Sequence, residues 1–506
     1  MNFRQSSSDP SELVIGIIGP IGCNRKLVLD TITTLAKHYA YEAEHVKVSK
    51  LIEDNADVAV TADDQYVRVT NLIKAGNELR RRTDDNSVLA KLAAGKISEI
   101  RRGKEGRRNI YVIDSIKHPE EVDELRHIYG ASFYLFAVHS SQLQREHFLW
   151  NECLIHDQAR IAALIARDNE ERHDDERLEY GQSTSDAFHR ADFFLTEDGN
   201  SRKVWNTTQR FLDAIFGDPF RTPTFNEYAM FMAYGSSMRS ADMSRQVGAV
   251  ITRDKDILSV GANECPKPFG GTYWPNYNSE TGEISDTAKG RDYKRGVDRN
   301  AKETQLMIAC LVDGLSDGPL QKLKKNIQKS GLSDITEFGR VVHAEMDAIL
   351  GCARRGITCD DSTIFCTTFP CHNCAKHIVA SGIAKVVYIE PYPKSKAFDM
   401  HDDAVRSPDD IAEPERVLFV PFVGVGPRQF ADLFSLTLSA GARIRRKEKG
   451  SINVVAWKRS TAVPRVKCYP VSYLDNENDA ATQAVDSIKR IERVKIDAET
   501  SPVKGD

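Results

Sequence analysis

The stretch TIFCTTFPCHNCAKHIVASGIAKVVYIE (363–390) reads as strand, helix, strand. TIFCTT (363–368) and KVVYIE (385–390) are short apolar runs rich in β-branched and aromatic residues, and between them Pro370 suits the opening of a helix and Gly382 its end. Such a unit predicts an α/β fold. Upstream, QVGAVI (246–251) and DILSVG (256–261) flank the turn RDKD as a hairpin. Further out, LVIGIIG (13–19), HVKVS (45–49), NIYVIDS (109–115), ASFYLFAV (131–138) and ADFFLT (191–196) read as strands separated by helical spacing, the pattern of a parallel sheet covered on both faces. The segment GDPFRTPT (217–224) punctuates the chain between the two units. The expected organisation is a disordered tail over 1–10, an α/β domain over 11–220, a second α/β domain over 221–420 and a C-terminal extension over 421–506, polar, acidic and flexible from about 476. Residues 265–300 are rich in Gly, Pro, Asn and aromatics, and an irregular insertion of that length reads as a lid or binding loop.

The chain has 506 residues and a formal charge of -4, so no global basic field draws it onto nucleic acid. The run RRGKEGRR (101–108) is a local exception and reads as a solvated loop. No apolar stretch approaches the ~18–20 residues of a membrane helix, and the N-terminus lacks the pattern of a secretory signal, which predicts a cytoplasmic protein without a membrane partner. Ten cysteines are scattered apart from one C-x-x-C pair, which in a reducing compartment suggests metal or redox chemistry.

That pair is Cys371 and Cys374, one helical turn apart and able to point at one atom. VVHAEMDAIL (341–350) adds the imidazole of His343, giving a Cys₂His set whose fourth tetrahedral position stays open, as catalytic zinc requires. Residues two apart on a helix face opposite ways, so His343 and Glu345 converge only near a helix start, where the positive end of the helix favours a carboxylate. Met346, Ile349 and Leu350 then form the buried stripe. Two other readings stand beside this one: a structural zinc knuckle that recruits His372 or His377, and a redox C-x-x-C, which leaves His-Ala-Glu unexplained.

H-x-E with P-C-x-x-C is the known signature of the zinc nucleobase deaminases, and the resemblance implies zinc-assisted attack of water at C4 of cytosine, with Glu345 moving the proton to N3 and then to the departing amine. Around it, SRQVGAVI (244–251), GANECP (261–266), HAEMDAI (343–349), TTFPCHNCAKHIVASGIAKVVYI (367–389) and PYPKS (391–395) resemble the deoxycytidylate deaminase family over about 225–400. The resemblance implies an α/β/α cytidine-deaminase-like domain, a nucleoside contact from Asn263 and a base contact from the Ala344 peptide. Asn263 also reads as an ordinary turn residue. Asp347 stands where the family usually has Asn, and the insertion is long. Tyr392, Lys394 and Ser395 follow a parallel strand at its carboxyl end, where α/β proteins place ligands, and Lys394 is the candidate for a phosphate contact, with Arg295 and Arg299 as rivals.

GPIGCNRK (19–26) resembles the phosphate loop of P-loop nucleotide kinases in degenerate form: Gly19 and Gly22 remain, but Asn24, Arg25 and Lys26 replace the last glycine, the lysine and the magnesium-binding hydroxyl. Asp114 ends a strand as a metal-associated acid would, and the Arg-rich segment 145–177 takes the place of a lid. This implies either a scaffold or a domain that binds a nucleotide through Gly19, Gly22, Arg25 and Lys26 without turnover. A P-loop nucleotide-kinase-like domain followed by a deaminase-like one and LFVPFVGVGPRQFADLFS (418–435) resembles the bacterial anti-phage dCTP deaminases. That resemblance implies conversion of dCTP and dCMP, zinc as cofactor, a homo-oligomer and an inhibitory small RNA. The competing readings are a dCMP-specific deaminase of pyrimidine metabolism, an RNA or DNA cytosine base editor, and a regulatory protein that only senses nucleotides.

Overall fold

The computed structural model describes residues 11–57, 60, 62–104, 108–170, 182–314, 316–330, 338–390, 395–411, 413–437, 443–466 and 473–500. The tail expected over 1–10 lies outside them. The chain divides into two compact units, one formed by the residues up to Thr224 together with those from Val423 onward, the other by Phe225–Phe422. No helix among the described residues is long and apolar enough to cross a membrane.

The first unit is built on five parallel strands, β1 (Leu13–Ile18), β2 (Glu42–Val46), β3 (Asn109–Ile116), β4 (Phe133–His139) and β5 (Phe193–Thr196), in the order β5-β4-β1-β3-β2. Every residue of β1 is buried, as a central strand covered on both faces requires. The apolar run at 45–49 is shared between elements. β2 ends at Val46, and Val48 opens a helix, Val48–Asn55, that buries Val48 and Ile52 one turn apart. The helix Arg25–Ala36 buries Val28, Leu29, Ile32 and Leu35 and is capped by Asn24, whose side chain accepts from the Leu27 amide at 3.1 Å.

In the second unit, β6 (Gly248–Arg253) and β7 (Asp256–Ala262) form the hairpin. The insertion carries a two-stranded ribbon, β8 (Asn276–Tyr277) with β9 (Ile284–Ser285). β10 (Thr363–Thr368), β11 (Lys385–Glu390), β12 (Val405–Arg406) and β13 (Val417–Pro421) complete a sheet of order β12-β13-β11-β10-β6-β7. Its β10, β11, β13 and β12 are parallel, and β6 runs antiparallel to both β10 and β7. Both units are therefore α/β. The unit read as C-terminal is an insertion between two parts of the first.

The separate extension expected over 421–506 is corrected by its packing. β14 (Gly424–Val425) adds an antiparallel edge to β5, and the helix Leu474–Thr500, which replaces the expected flexible tail, lies on the helix Val88–Arg102. The two helices approach closely because Gly95 faces Ala481, where an added Cβ would come within 3.0 Å of the alanine's. The contact is locked by a buried cluster. Arg101 Nε donates to Glu12 at 2.8 Å and its Nη2 to Glu477 at 2.9 Å, while Tyr473 and Tyr111 donate their hydroxyls to Glu12 at 2.6 and 3.0 Å. Arg101 is thus the buried end of the run read as solvated. Its partners, 89 and 376 residues away in sequence, gave no local signal.

Candidate active site

His343 is the N-cap of the helix Ala344–Arg354, and Cys371 is the N-cap of the helix His372–Ala380. Two helix starts therefore face one point. His343 Nδ1 lies 3.5 Å from Cys371 Sγ and 3.3 Å from Cys374 Sγ. Tetrahedral zinc with Zn–N near ~2.0 Å and Zn–S near ~2.3 Å requires N···S edges of about 3.5 Å, so the three donors already stand at coordination spacing. Among the described residues this is the one group of metal-ligating side chains, and neither His372 nor His377 joins it. Three donors without a fourth among the described residues match the ligand count of a catalytic zinc site.

Hydrogen bonding with Cys374, and then with His343, pulls the Cys371 thiol down to about 4, while the bond to Cys371, with burial, holds the Cys374 thiol well above the ordinary cysteine range, so Cys371 is the thiolate of the pair. The contact with Cys371 also raises His343 to about 9, and zinc binding must displace the proton held there. Glu345, the second residue of its helix, is 4% exposed and within hydrogen-bond reach of Cys374. Burial raises its carboxyl above the ordinary carboxylate range, against the lowering pull of His343. A carboxyl so placed can hold a proton beside the metal and give it up. Cys371→Ala should abolish zinc binding and lower the stability of the unit, read as metal content after gel filtration and as a melting midpoint. Full zinc occupancy in that variant would remove Cys371 from the ligand set.

The helix that carries His343 and Glu345 does not bury the expected stripe. Its buried face is Ala344, Glu345, Asp347, Ala348, Gly351 and Cys352, whereas Leu350 is exposed and Met346 and Ile349 are half-buried. The reason is backbone proximity to β7. A Cβ at Gly261 would sit 2.1 Å from the Ala344 carbonyl and 2.5 Å from the Ala348 amide, so small residues line the contact. Asp347 accepts from the Ala262 amide at 3.2 Å and lies 3.5 Å from Arg239, whose guanidinium stacks on Trp274 of the insertion at 4.1 Å.

Asn263 is buried, and both ends of its amide are engaged: Oδ1 accepts from Val247 N at 2.7 Å and Nδ2 donates to the Arg245 carbonyl at 2.9 Å. It fastens the approach to β6 onto the end of β7. Ser395 donates to the Pro370 carbonyl at 2.9 Å and so braces the cysteine helix. Tyr392 and Lys394 lie outside the described residues. Arg295 and Arg299 are exposed, at the end of a 3₁₀ turn and the start of the helix Arg299–Val312.

In the first unit, Gly19 and Gly22 form a tight turn before the helix Arg25–Ala36, with Gly22 at φ +81°. Arg25 donates to the carbonyls of Gly19 and Pro20 at 3.3 and 3.2 Å, and Lys26 pairs with Asp30 at 2.9 Å. The two cations carried over from the motif are thus engaged within the protein. Lys117 also donates to the Gly19 carbonyl, at 2.8 Å, and Arg145 to that of Ile21, at 2.6 Å. Asp114 accepts from the Val48 amide and sits 2.8 Å from His45.

The model of the cytidine and deoxycytidylate deaminase zinc-binding region matches residues 223–390. The chain is 34% identical over 165 residues to the deoxycytidylate deaminase of Enterobacteria phage T2, covering 33% of this chain and 79% of that protein. Its counterpart from phage T4 is 33% identical, covering 33% of this chain and 77% of that protein. The chain belongs to the deoxycytidylate deaminase family. The dCMP deaminase of cyanophage S-TIM5, solved in apo form, is 18% identical, covering 40% of this chain and 99% of that one at a TM-score of 0.22. As a deoxycytidylate deaminase family member the chain takes zinc, and the His343, Cys371 and Cys374 cluster is a group of side chains that could hold it.

Two charged residues of this deaminase unit escaped the sequence reading. Glu264 and Arg291 are both buried and paired at 3.1 Å. An acid two residues after β7, inside the motif GANECP, was the available signal, but its cation lies 27 positions on in the irregular insertion.

Proposed function

We propose that the second unit deaminates free deoxycytidine nucleotides, dCTP and dCMP, to the corresponding uracil nucleotides, and that draining dCTP serves anti-phage defence in the cytoplasm. The observation that carries the reading is the three-donor cluster with a buried carboxyl, Glu345, on the same helix start. When bound, zinc supplies the Lewis acidity that makes water a nucleophile near neutral pH. The protein's own part is proton handling and exclusion of solvent. Glu345 takes one proton from the attacking water to N3 of the cytosine ring and then the second from the new C4 hydroxyl to the amino group, so that the C4–N bond breaks, the C4 carbonyl forms and ammonia leaves. In the same reading the Ala344 peptide orients the base, and its close approach to Gly261 of β7 supports a fixed position for it.

The net charge of -4 supports a free nucleotide over a polymer, whose backbone calls for a basic channel. A phosphate contact from Lys394, and a nucleoside contact from Asn263 through its remaining hydrogen-bonding capacity, belong to the same proposal. The first unit is read as a nucleotide-kinase-like scaffold that binds a nucleotide without turning it over. Exposed Trp274, Tyr277, Ile284, Leu306 and Leu311 support homo-oligomerisation, and an inhibitory small RNA rests on the resemblance to the anti-phage enzymes.

The test incubates the full chain, loaded with zinc, with dCMP, dCTP, CTP and a cytosine-containing oligonucleotide and separates the products. Uracil nucleotides from dCTP and dCMP are expected. Turnover of dCMP alone would place the protein in pyrimidine metabolism, and preference for the oligonucleotide would replace this reading with a base editor.

A further inference from the structure

The insertion is fastened to the metal site from two sides. Glu264 exchanges two backbone hydrogen bonds with Val342, at 3.2 and 3.1 Å, and Val342 is the residue before the ligand His343. The Glu264 carboxylate, 1% exposed, accepts from the amides of Cys265 and Ala241 at 2.8 and 3.2 Å and meets Arg291 at 3.1 Å. Arg291, 6% exposed, spreads its guanidinium over three acceptors: Glu264, Asp286 at 3.2 Å and the Tyr273 carbonyl at 3.0 Å. On the other side, Arg340 donates to the Gly290 carbonyl at 3.1 Å and pairs with Asp292. The residues flanking Arg291 are thereby held to the segment that leads into His343.

We propose that Arg291 and Glu264 form a positioning pair that fixes His343 for zinc by clamping Val342. His343, as an N-cap, makes no capping hydrogen bond with its side chain, so its place depends on the backbone before it and on the carbonyl bond to Asp347 N at 2.9 Å. That backbone is set at Val342 by Glu264, and Glu264 is set by the only charge that meets its buried carboxylate at hydrogen-bond distance among the described residues, Arg291. Residues that orient a ligand without touching the metal typically change metal affinity or activity by about 10- to 100-fold. The guanidinium suits this role because its planar fork joins a carboxylate, a second carboxylate and a carbonyl in one geometry, which an ammonium does not reproduce. The insertion is then part of the metal site's support.

The inference rests on His343 being a zinc ligand, and the test separates the two. Full-length wild type, Glu264→Gln, Arg291→Ala, Arg291→Lys and the double variant Glu264→Gln/Arg291→Ala are loaded with zinc and mixed with a chromogenic chelator, and the rate of zinc release is followed. Glu264→Gln and Arg291→Ala should each release zinc about tenfold faster than wild type or more, Arg291→Lys should fall between, and the double variant should be no faster than the faster single one. A lowered melting midpoint with wild-type zinc release would show a merely structural pair and overturn the proposal. So would additive effects in the double variant. If Arg291→Ala does not fold, Glu264→Gln and Arg291→Lys decide, and wild-type release in both is the overturning result. A wild type that holds no zinc would instead remove His343 from the ligand set.

Discussion

Glu345→Ala is expected to keep zinc and to slow deamination by about 10²–10⁴, the usual loss when a positioned proton carrier is removed. Zinc stays because His343, Cys371 and Cys374 supply the donor set without the carboxylate. The rate falls because burial, against the lowering pull of the adjoining His343, keeps a carboxyl of raised pKa where the proton must move, and no other carboxylate belongs to that helix start except Asp347, which is committed to Ala262 and Arg239. Glu345→Gln refines the test: it fills the same space but cannot carry the proton, so it should be as slow as the alanine variant. Metal content and turnover of dCMP are measured on the same preparations. Near-normal turnover in either variant would assign the proton to another group.

Arg101→Ala should be the most damaging single change to the first unit. Glu12 and Glu477 are 3% and 0% exposed, and removing their shared cation leaves two buried carboxylates without charge compensation. Breaking a buried pair from one side costs about 3–5 kcal/mol, a large part of the ~5–15 kcal/mol that holds a typical domain. The loss would appear as a fall in the urea midpoint of the first unit's transition. Charge, not packing, is the cause, so Arg101→Met combined with Glu12→Gln and Glu477→Gln should recover much of the stability. A loss under about 1 kcal/mol in Arg101→Ala would mean that the carboxylates reach solvent.

The coming together of His343, Cys371 and Cys374 was legible because metal geometry imposes a spacing: two cysteines one turn apart, and a histidine that meets its glutamate only at a helix start. The strands at 13–18, 109–116, 363–368 and 385–390 were legible for a similar reason, since continuous apolar runs bounded by turns leave few options. The buried face of the helix 344–354 does not follow hydrophobic size, which points to Met346, Ile349 and Leu350. Gly261 allows so close a backbone approach that alanines and a glycine fill the interface and Leu350 faces outward. The ties made by Glu264, Arg291 and Arg101 join residues far apart in sequence, where no periodicity exists to announce them. The same holds for 421–506, whose return to β5 and to the helix 88–102 is a tertiary event.

Because the first unit is completed by residues on both sides of the second, the order of synthesis matters. As the chain leaves the ribosome, β5 emerges with one edge unpaired, and β14, which covers it, follows only after about 230 further residues. At the usual ~5–20 residues per second that is a delay of roughly 11–46 s. Throughout it the β5 edge is open to pairing with other nascent chains, and Glu12 and Arg101 await Glu477. All residues of the deaminase unit, by contrast, have been made before the first unit can close. A messenger cut short after residue 422 would thus encode His343, Cys371, Cys374 and Glu345 while leaving their carrier with an uncapped sheet, a product for chaperones and proteases to sort.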